Sequence, residues 1–488
     1  TNNSLYTMTG PISFSHLYSK ECNLRKRTIL ESSLKYASDP SIAFLGGGLP
    51  RPEYFPWNEL SASSPLPPFA NGITSHCTSS KGKDPKDSIA TIIYKNQFST
   101  GNAAADIELS RALQYGESAG FTELVEFIRE HTKILHHVPH GDWNVILTAG
   151  NTQSIDSTIR TFCDRGDYVI LEEYSYPTTM ENLRSMGINF LTVPMDHKGI
   201  IPEKLREVLL NHKGKMPKFL YTVPTGQNPT GCVISDERKQ QIYRIAQEFD
   251  FLIVEDDPYY FLQLDEYAAN AETSELSREE FISSLTKSFL DFDCDGRVIR
   301  LESTSKILAP GARLGWIVAQ NSILDAYIKL HEVTMFAASG FSQTLMNGLF
   351  SRWGQDGYLD WLKGVRKEYT KKRNGATDLI YKHFPMDVTK FEPPSAGMFI
   401  MLKFDASKHP EFDSKFNSKP VEVEMHLYQE GIKNGCLMIP GSYFIVPGCN
   451  VESNEIFFRG AYAAPDHATL ESGLIRFSDV IKNEFKCN

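Results

Sequence analysis

Short apolar runs alternate with polar segments of helical spacing through the middle of the chain. Runs of four or five apolar residues between polar turns predict buried strands. The predicted strands are Val145–Ala149, Tyr168–Leu171, Phe219–Val223, Phe251–Val254 and Val298–Leu301. Repetition of strand, helix and strand predicts an α/β fold with a mostly parallel sheet between helices.

Three segments have the spacing of helices. Ser154–Phe162 follows the first predicted strand, and Asp236–Asp250 repeats apolar residues every three or four positions. Tyr358–Phe384 is a longer helical pattern, which we expect to join the sheet domain to a C-terminal domain. Ser79–Ser88 and Glu266–Lys287 are polar and are interpreted as surface insertions.

Length and charge narrow the class of protein. A chain of 488 residues is long enough for two domains. Its net charge of −10, without a basic block, argues against binding to a nucleic acid backbone. The apolar runs are too short to span a bilayer, and the N-terminal stretch has no apolar core typical of a secretory signal.

The eight cysteines are scattered, with no CxxC pair and no Cys/His cluster. This pattern favours reduced thiols in a cytoplasmic protein and no metal site.

Each predicted strand is followed by residues suited to binding or chemistry. In parallel sheets, ligands bind beyond the carboxyl ends of the strands. The segments at these ends are Gly150–Gln153, Tyr174–Tyr176, Thr225–Gly231, Asp256–Tyr259 and Ser303–Lys306. We expect them to converge on one crevice.

Lys306 lies between small hydroxyl residues and an apolar run. A lysine that forms an imine must be partly neutral near pH 7, which requires desolvation or a neighbouring positive charge such as Arg313. Ser303, Ser305 and Arg313 would also suit a phosphate monoester. The alternative interpretation is an ordinary surface lysine in a loop.

Gly150–Gln153 joins a predicted strand to a predicted helix. Backbone N–H groups at a helix N-terminus bind phosphate, although most such segments are simple turns.

Asp256 ends an apolar strand, and its carboxylate could be the counter-ion of a buried cation. It could instead cap a helix or pair with a structural arginine. Strand alternation directs the side chains of Glu255 and Asp257 elsewhere.

Four further residues could either belong to a binding site or have a purely structural role. Asn228 lies in GQNPTG, which could be a plain turn, and Tyr176 and Tyr259 could be core residues. Arg459 lies between bulky residues in FFRGAY. A buried arginine needs an anion, either the carboxylate of a ligand or a structural salt-bridge partner.

With these residues collected, the chain resembles the fold-type I pyridoxal-phosphate (PLP) enzymes, and within them the class I/II aminotransferases. The likeness extends from about Ala43 to Ile481. It is most similar to the fungal aromatic aminotransferase I group, which is related to 2-aminoadipate and kynurenine aminotransferases. The matching motifs, in the family's order, are NPTG at Asn228–Gly231, DDPY at Asp256–Tyr259, SxSK at Ser303–Lys306, Arg313, and FFR at Phe457–Arg459.

The resemblance implies a role for each matching residue at the cofactor ring. Lys306 would form the imine with PLP and then move the proton of the substrate's α-carbon. Asp256 would keep the pyridine nitrogen protonated, so that the ring accepts electrons. Tyr259 and Asn228 would hydrogen-bond the phenolic oxygen of the ring, and Tyr176 would stack on its face.

The resemblance also implies residues for the phosphate and the substrate. Tyr115 would reach the phosphate of the partner subunit's cofactor, which implies a homodimer with shared active sites. Arg459 would bind the α-carboxylate of the substrate, and Gly47 and Asn228 would line its site. The phosphate of the same subunit would be held by Asn151, Thr152, Ser303, Ser305 and Arg313.

The implied architecture has three parts. Residues 1–45 would be an N-terminal arm, and residues 105–365 a large PLP domain with a seven-stranded sheet. Residues 46–104 and 366–488 would form a smaller α/β domain. Relatives often carry a basic residue in the arm near the position of Glu31, so the role of the arm in binding substrate is open.

The expected reaction is ping-pong transamination of phenylalanine, tyrosine or tryptophan with 2-oxoglutarate or another 2-oxo acid, and 2-aminoadipate and kynurenine are further candidate donors. Two alternatives stay open at this point. The same cofactor residues could serve a β-lyase or decarboxylase. A ligand-sensing regulator with an aminotransferase-like domain is the alternative from another class. Such regulators usually carry an N-terminal DNA-binding module, but the residues before Gly46–Pro50 (GGGLP) have little positive charge.

Overall fold

The structure is a computed structural model, and it describes most of the chain. The described residues are 10–28, 36, 39–43, 45–74, 88–96, 105–269, 273, 275–449 and 453–487. Glu31, Cys77 and all but the last residue of the predicted insertion Ser79–Ser88 lie outside them.

Strands and helices alternate along the central part of the chain. The strands of the described residues are β1 (Glu59–Pro65), β2 (Ser88–Tyr94), β3 (Trp143–Thr148), β4 (Tyr168–Glu172), β5 (Asn189–Val193), β6 (Met195–Asp196), β7 (Gly199–Ile200), β8 (Phe219–Thr222), β9 (Leu252–Asp256), β10 (Val298–Ser303), β11 (Gly315–Gln320), β12 (Thr389–Lys390), β13 (Phe399–Asp405), β14 (Ile439–Pro440) and β15 (Glu455–Ala461). The helices are α1 (Lys20–Leu24), α2 (Leu109–Ala112), α3 (Thr122–Leu135), α4 (Asn151–Phe162), α5 (Pro177–Ser185), α6 (Pro202–Asn211), α7 (Asp236–Phe249), α8 (Arg278–Ser284), α9 (Asn321–His331), α10 (Gly340–His383), α11 (Pro420–Lys433) and α12 (His467–Phe485).

The largest sheet has seven strands in the order β3-β11-β10-β9-β8-β4-β5. Strand β11 runs antiparallel to both of its neighbours, whereas β9 and β10, β4 and β8, and β4 and β5 pair in parallel. The predicted α/β class and the mostly parallel seven-stranded sheet are therefore confirmed. All five strands expected from apolar runs are present, each within two residues of its predicted ends.

Apolar runs alone did not reveal β5 and β11. Strand β5 is only partly buried along most of its length, so its sequence lacks a continuous apolar run. Strand β11 is fully buried, but no α-helix separates it from β10, so the repetition of strand, helix and strand does not indicate it.

A second sheet forms near the C-terminus, with four antiparallel strands in the order β12-β13-β15-β14. One face packs on α11 and α12 through Leu402, Phe458 and Phe477. Because side chains alternate along a strand, Arg459 projects from the face opposite to its buried neighbour Phe458. This α/β unit confirms the expectation of a smaller α/β region in the C-terminal third.

Contacts within the chain divide it into two compact units. The first comprises Thr1–Asp167, Ala246–Pro258 and Arg278–Gly364, and the second comprises Tyr168–Ile245, Tyr259–Ser277 and Val365–Asn488. The domain bounds derived from the resemblance stay a prediction. Among the described residues, every helix is too short or too polar to cross a lipid bilayer.

Candidate active site

The first unit brings Asp256 and Asn151 together at the ends of neighbouring strands. Asp256 is the last residue of β9 and is 5% exposed, and it lies opposite Leu301 of the parallel strand β10. The side-chain amide of Asn151, the first residue of α4, donates to Asp256 Oδ1 at 2.7 Å and to the Leu301 carbonyl at 3.3 Å. The amide therefore links a helix start to two strand ends.

A tight turn precedes α4 and lies against Arg313. Gly150 has a φ of 98° in this turn, and a Cβ atom there would come within 2.8 Å of the Arg313 guanidinium. Only glycine fits such a turn without strain. Arg313 is exposed and donates to the carbonyls of Ala149 and Pro310. A cationic side chain therefore lies beside a helix start, where the first N–H groups have no partner within the helix.

Lys306 lies in the turn that follows β10. It is half-buried, as is Ser305, whereas Ser303 is buried. The Ser303 hydroxyl accepts a hydrogen bond from the backbone N–H of Ser305 at 2.9 Å, which orders the residues just before the lysine. The chain thus places a lysine amine and two hydroxyls beyond the end of the strand adjacent to Asp256.

The two acids beside Asp256 lie on the other side of the strand, as strand alternation predicted. Arg300 Nη1 is 2.7 Å from Asp257 Oδ2 and 3.2 Å from Glu255 Oε2, and all three side chains are fully buried. Arg300 Nη2 also lies 2.8 Å from Glu302 Oε1. Sequence reasoning missed Arg300, because nothing in the segment GRVIR (residues 296–300) indicates that its second arginine pairs with acids at the end of another strand.

In the second unit, Arg459 and Asn228 form a direct pair. Arg459 Nη1 donates to Asn228 Oδ1 at 2.8 Å, although 231 residues separate them in the sequence. The guanidinium carbon lies 4.2 Å from the ring centre of Phe399 and 4.9 Å from that of Phe444. Arg459 Nε is buried and has no hydrogen-bond partner among the described residues. The cation is therefore held between aromatic rings with hydrogen-bonding capacity left over.

The electrostatic surroundings of Arg459 include two tyrosines predicted for the site. Burial lowers the pKa of the guanidinium, and the nearby phenols of Tyr259 and Tyr176 act in the opposite direction. Tyr259 is buried and its ring lies edge-on to Phe399, at 6.0 Å between ring centres. Tyr176 is half-buried in front of α5.

A buried glutamine orders the loop that carries Asn228. Gln227 is fully buried, and its Nε2 donates to Glu172 Oε2 at 3.1 Å and to the Tyr174 carbonyl at 2.6 Å. Its Oε1 accepts from the backbone N–H of Thr230 at 3.0 Å. Sequence reasoning missed Gln227, although its place beside Asn228 in GQNPTG was the available signal.

The remaining predicted residues lie at exposed positions. Thr152 is exposed in the first turn of α4, and Gly47 is exposed near the start of the described chain. Tyr115 is 64% exposed, with its ring edge-on to Phe336 at 5.3 Å.

Comparison with known proteins places the chain in a family. Residues 99–477 match the family model described as aminotransferase class I and II, which covers well over half of the chain. The chain belongs to this family, as the sequence motifs indicated.

Three relatives show how far the likeness extends. The chain is 38% identical to an aromatic amino acid aminotransferase of Schizosaccharomyces pombe, over 98% of this chain and 99% of the relative. It is 43% identical to the crystal structure of aminotransferase Aro8 from Candida albicans, with a TM-score of 0.91 and coverage of 98% and 99%. It is 25% identical to LysN of Thermus thermophilus, an α-aminoadipate aminotransferase complexed with N-(5′-phosphopyridoxyl)-L-leucine, with a TM-score of 0.63 and coverage of 77% and 85%.

Family membership makes the protein an aminotransferase, and its cofactor is pyridoxal 5′-phosphate. The regulator alternative is thereby removed.

Proposed function

We propose that the protein transfers the amino group of aromatic L-amino acids to a 2-oxo acid, with 2-oxoglutarate as the main acceptor, by a ping-pong mechanism. The observation that carries the substrate part is the Arg459 guanidinium, which is flanked by two aromatic rings and paired with Asn228. The name of the Schizosaccharomyces pombe relative, an aromatic amino acid aminotransferase, supports the same substrate class. 2-Aminoadipate and kynurenine are further candidate donors.

The groups of the first unit suit a cofactor with a phosphate, an aldehyde and a pyridine ring. The turn at Gly150 has no room for a side chain beside Arg313, so backbone N–H groups and a guanidinium are both open to an anion. Asn151, Thr152, Ser303 and Ser305 add polar groups around this position.

PLP, when bound, supplies an electron sink that stabilises negative charge at the α-carbon of an amino acid. In this proposal the amine of Lys306 holds the cofactor before the substrate binds, and then carries the proton of the α-carbon. The carboxylate of Asp256 keeps the pyridine nitrogen protonated through its negative charge. Tyr259 and Asn228 would donate hydrogen bonds to the phenolic oxygen of the cofactor, and Tyr176 would stack on its ring.

Arg459 binds the α-carboxylate of the substrate in this proposal. A guanidinium offers five donors in a planar fork, which matches a carboxylate better than an ammonium does. The nearby rings of Phe399 and Phe444 reduce the access of water to the cation, so the attraction to a carboxylate is less screened than at the surface. Gly47 would approach the substrate through its backbone.

The proposed enzyme is a cytoplasmic homodimer. The exposed ring of Tyr115 is available to the phosphate of a cofactor in a partner subunit. The seven cysteines within the described residues are free thiols, as expected in a reducing compartment.

An absorbance experiment tests the proposal directly. The purified protein, loaded with PLP, is expected to be yellow. The absorbance band responsible for this colour should disappear on addition of phenylalanine and return on addition of 2-oxoglutarate. Loss of the band with 2-aminoadipate but not with phenylalanine would overturn the aromatic assignment.

The substitution Arg459→Lys tests the binding of the α-carboxylate, because it keeps the positive charge but removes the planar fork of the guanidinium. This variant is expected to raise KM for phenylalanine about 10- to 100-fold.

A further inference from the structure

The side chain of Asn151 makes contacts that helix formation does not require. Asparagine stabilises a helix start from the position just before the helix, where its oxygen accepts a backbone N–H. In α4 that position is Gly150, and Asn151 is the first helical residue. Its amide turns instead towards the strand ends and donates to the Asp256 carboxylate and the Leu301 carbonyl.

Chemistry fixes which end of this amide faces Asp256. Both neighbours of Nδ2, a carboxylate and a carbonyl, can only accept, so the NH2 group must point at them. The amide oxygen is then left buried without a partner among the described residues. A buried acceptor without a partner costs free energy. The two hydrogen bonds that Nδ2 donates therefore offset this cost and hold the side chain in its orientation.

A neutral donor has a particular effect on a carboxylate. A hydrogen bond to the ionised form favours ionisation, but unlike a guanidinium it does not cancel the negative charge. One oxygen of Asp256 is hydrogen-bonded to the first residue of α4, and the carboxylate is thereby fixed in orientation. The hydrogen bond from the amide leaves the negative charge of the carboxylate in place.

We propose that Asn151 is a positioning residue, whose side-chain amide keeps the Asp256 carboxylate ionised and oriented towards the pyridine nitrogen of the cofactor. This inference rests on the proposed function. It is distinct from the predicted contact of the Asn151–Thr152 turn with the phosphate, which uses backbone groups and survives side-chain substitution.

A double-mutant cycle tests whether Asn151 acts through Asp256. The rate of cofactor bleaching by phenylalanine is measured in a single turnover for Asn151→Ala, Asp256→Ala and the double variant. Asn151→Ala alone is expected to slow bleaching about 10- to 100-fold, the range for loss of a group that orients a reacting residue. In the Asp256→Ala background it is expected to change the rate by less than about twofold, because coupled residues are not additive.

Asn321→Ala is the matched control. Asn321 is also the first residue of a helix, α9, and its amide also donates to an aspartate, Asp142, but at an exposed position. The Asn321→Ala variant is expected to be bleached by phenylalanine at the parent rate.

The variant Asn151→Asp keeps the shape of the side chain but places a second carboxylate beside Asp256. Because like charges raise the pKa of one member, the acid limb of the pH profile of kcat/KM is expected to move to higher pH.

Binding of inorganic phosphate to the cofactor-free protein separates this role from a phosphate contact. Asn151→Ala is expected to bind phosphate as the parent does. Equal rate losses in both backgrounds, or a loss of phosphate affinity that matches the loss of rate, would overturn the inference. A parent protein that phenylalanine and 2-oxoglutarate do not bleach and restore would instead contradict the proposed function, before any variant is compared.

Discussion

At the end of β9, the carboxylates on the two sides of the strand have different kinds of partner. On one side of the end of β9, the buried acids Glu255 and Asp257 both meet the guanidinium of Arg300. On the other side, Asp256 meets the neutral amide of Asn151. Two of three consecutive acids thus share a charged partner, whereas the third accepts a hydrogen bond from an uncharged amide, because side chains alternate along the strand.

The difference separates stabilisation from chemistry. A guanidinium compensates buried acids, and removing it would leave their charges without a partner. A neutral donor leaves the charge of Asp256 able to attract a cation, and at about 3 Å with an effective dielectric constant of about 20 this attraction is worth about 5 kcal/mol before desolvation. We therefore expect substitutions on the Arg300 side to lower stability, and substitutions on the Asp256 side to lower the rate.

The largest effect is expected at Lys306, which follows the strand adjacent to Asp256. Lys306→Ala should abolish transamination, because the proton-carrying amine is lost, while PLP binds only non-covalently. Dialysis against PLP-free buffer should release the cofactor from the variant but not from the parent. Lys306→Arg is the control for charge, since a guanidinium stays protonated and cannot replace the amine. Turnover at the parent rate in either variant would contradict the assignment.

The next effect concerns Asp256 itself. Asp256→Asn should lower kcat about 10²- to 10³-fold, the range for loss of one preorganised electrostatic group, with a melting temperature close to that of the parent. Asp257→Asn is the matched substitution one residue along, and it should keep kcat while lowering the melting temperature. Steady-state kinetics and thermal unfolding of both variants check the comparison. An equal loss of kcat in the two variants would show that the two sides do not differ.

Arg300 tests the stabilising side. Arg300→Met should lower the free energy of unfolding by about 3–5 kcal/mol, because Glu255, Asp257 and Glu302 lose their buried partner. Urea unfolding measures this difference. Arg184→Met removes an arginine that pairs with Glu181 at the surface, where both side chains are more than half exposed, so it should leave the free energy of unfolding almost unchanged. Comparable losses in both variants would remove the distinction between buried and exposed pairs.

The smallest effect concerns the pH dependence of stability. Burial by itself would raise the pKa of Glu302, but Arg300, His136 and Trp316 bring it below its ordinary value of 4.5. A carboxyl whose pKa is lower in the folded protein stabilises it above the unfolded-state pKa, and this stabilisation is lost as the pH falls through the folded-state pKa. Between pH 5.5 and pH 4, the melting temperature of Glu302→Gln should therefore fall less steeply than that of the parent. Parallel curves would contradict the assignment.

Local patterns in the sequence predicted much of the fold and the type of chemistry. Apolar runs identified β3, β4, β8, β9 and β10, since strands that are buried along their length need continuous apolar residues. Alternation along β9 was enough to separate Asp256 from Glu255 and Asp257. The partly buried β5 escaped detection, because its residues do not form such a run.

The partners of the candidate site residues could not be read from local patterns. Arg300 lies in an apolar strand, and its pairing with acids of β9 depends on the register between β9 and β10. Likewise, 105 residues separate Asn151 from Asp256, and 231 separate Arg459 from Asn228.

By itself, the sequence determined which residue types stand at the strand ends, because burial, alternation and turn chemistry act over a few neighbouring residues. It also carried the ordered motifs that mark the aminotransferase family. The tertiary structure decided which of these side chains meet, and whether an acid meets a guanidinium or an amide. Such contacts depend on the register and packing of segments that are far apart in the sequence, so no short stretch of the chain specifies them.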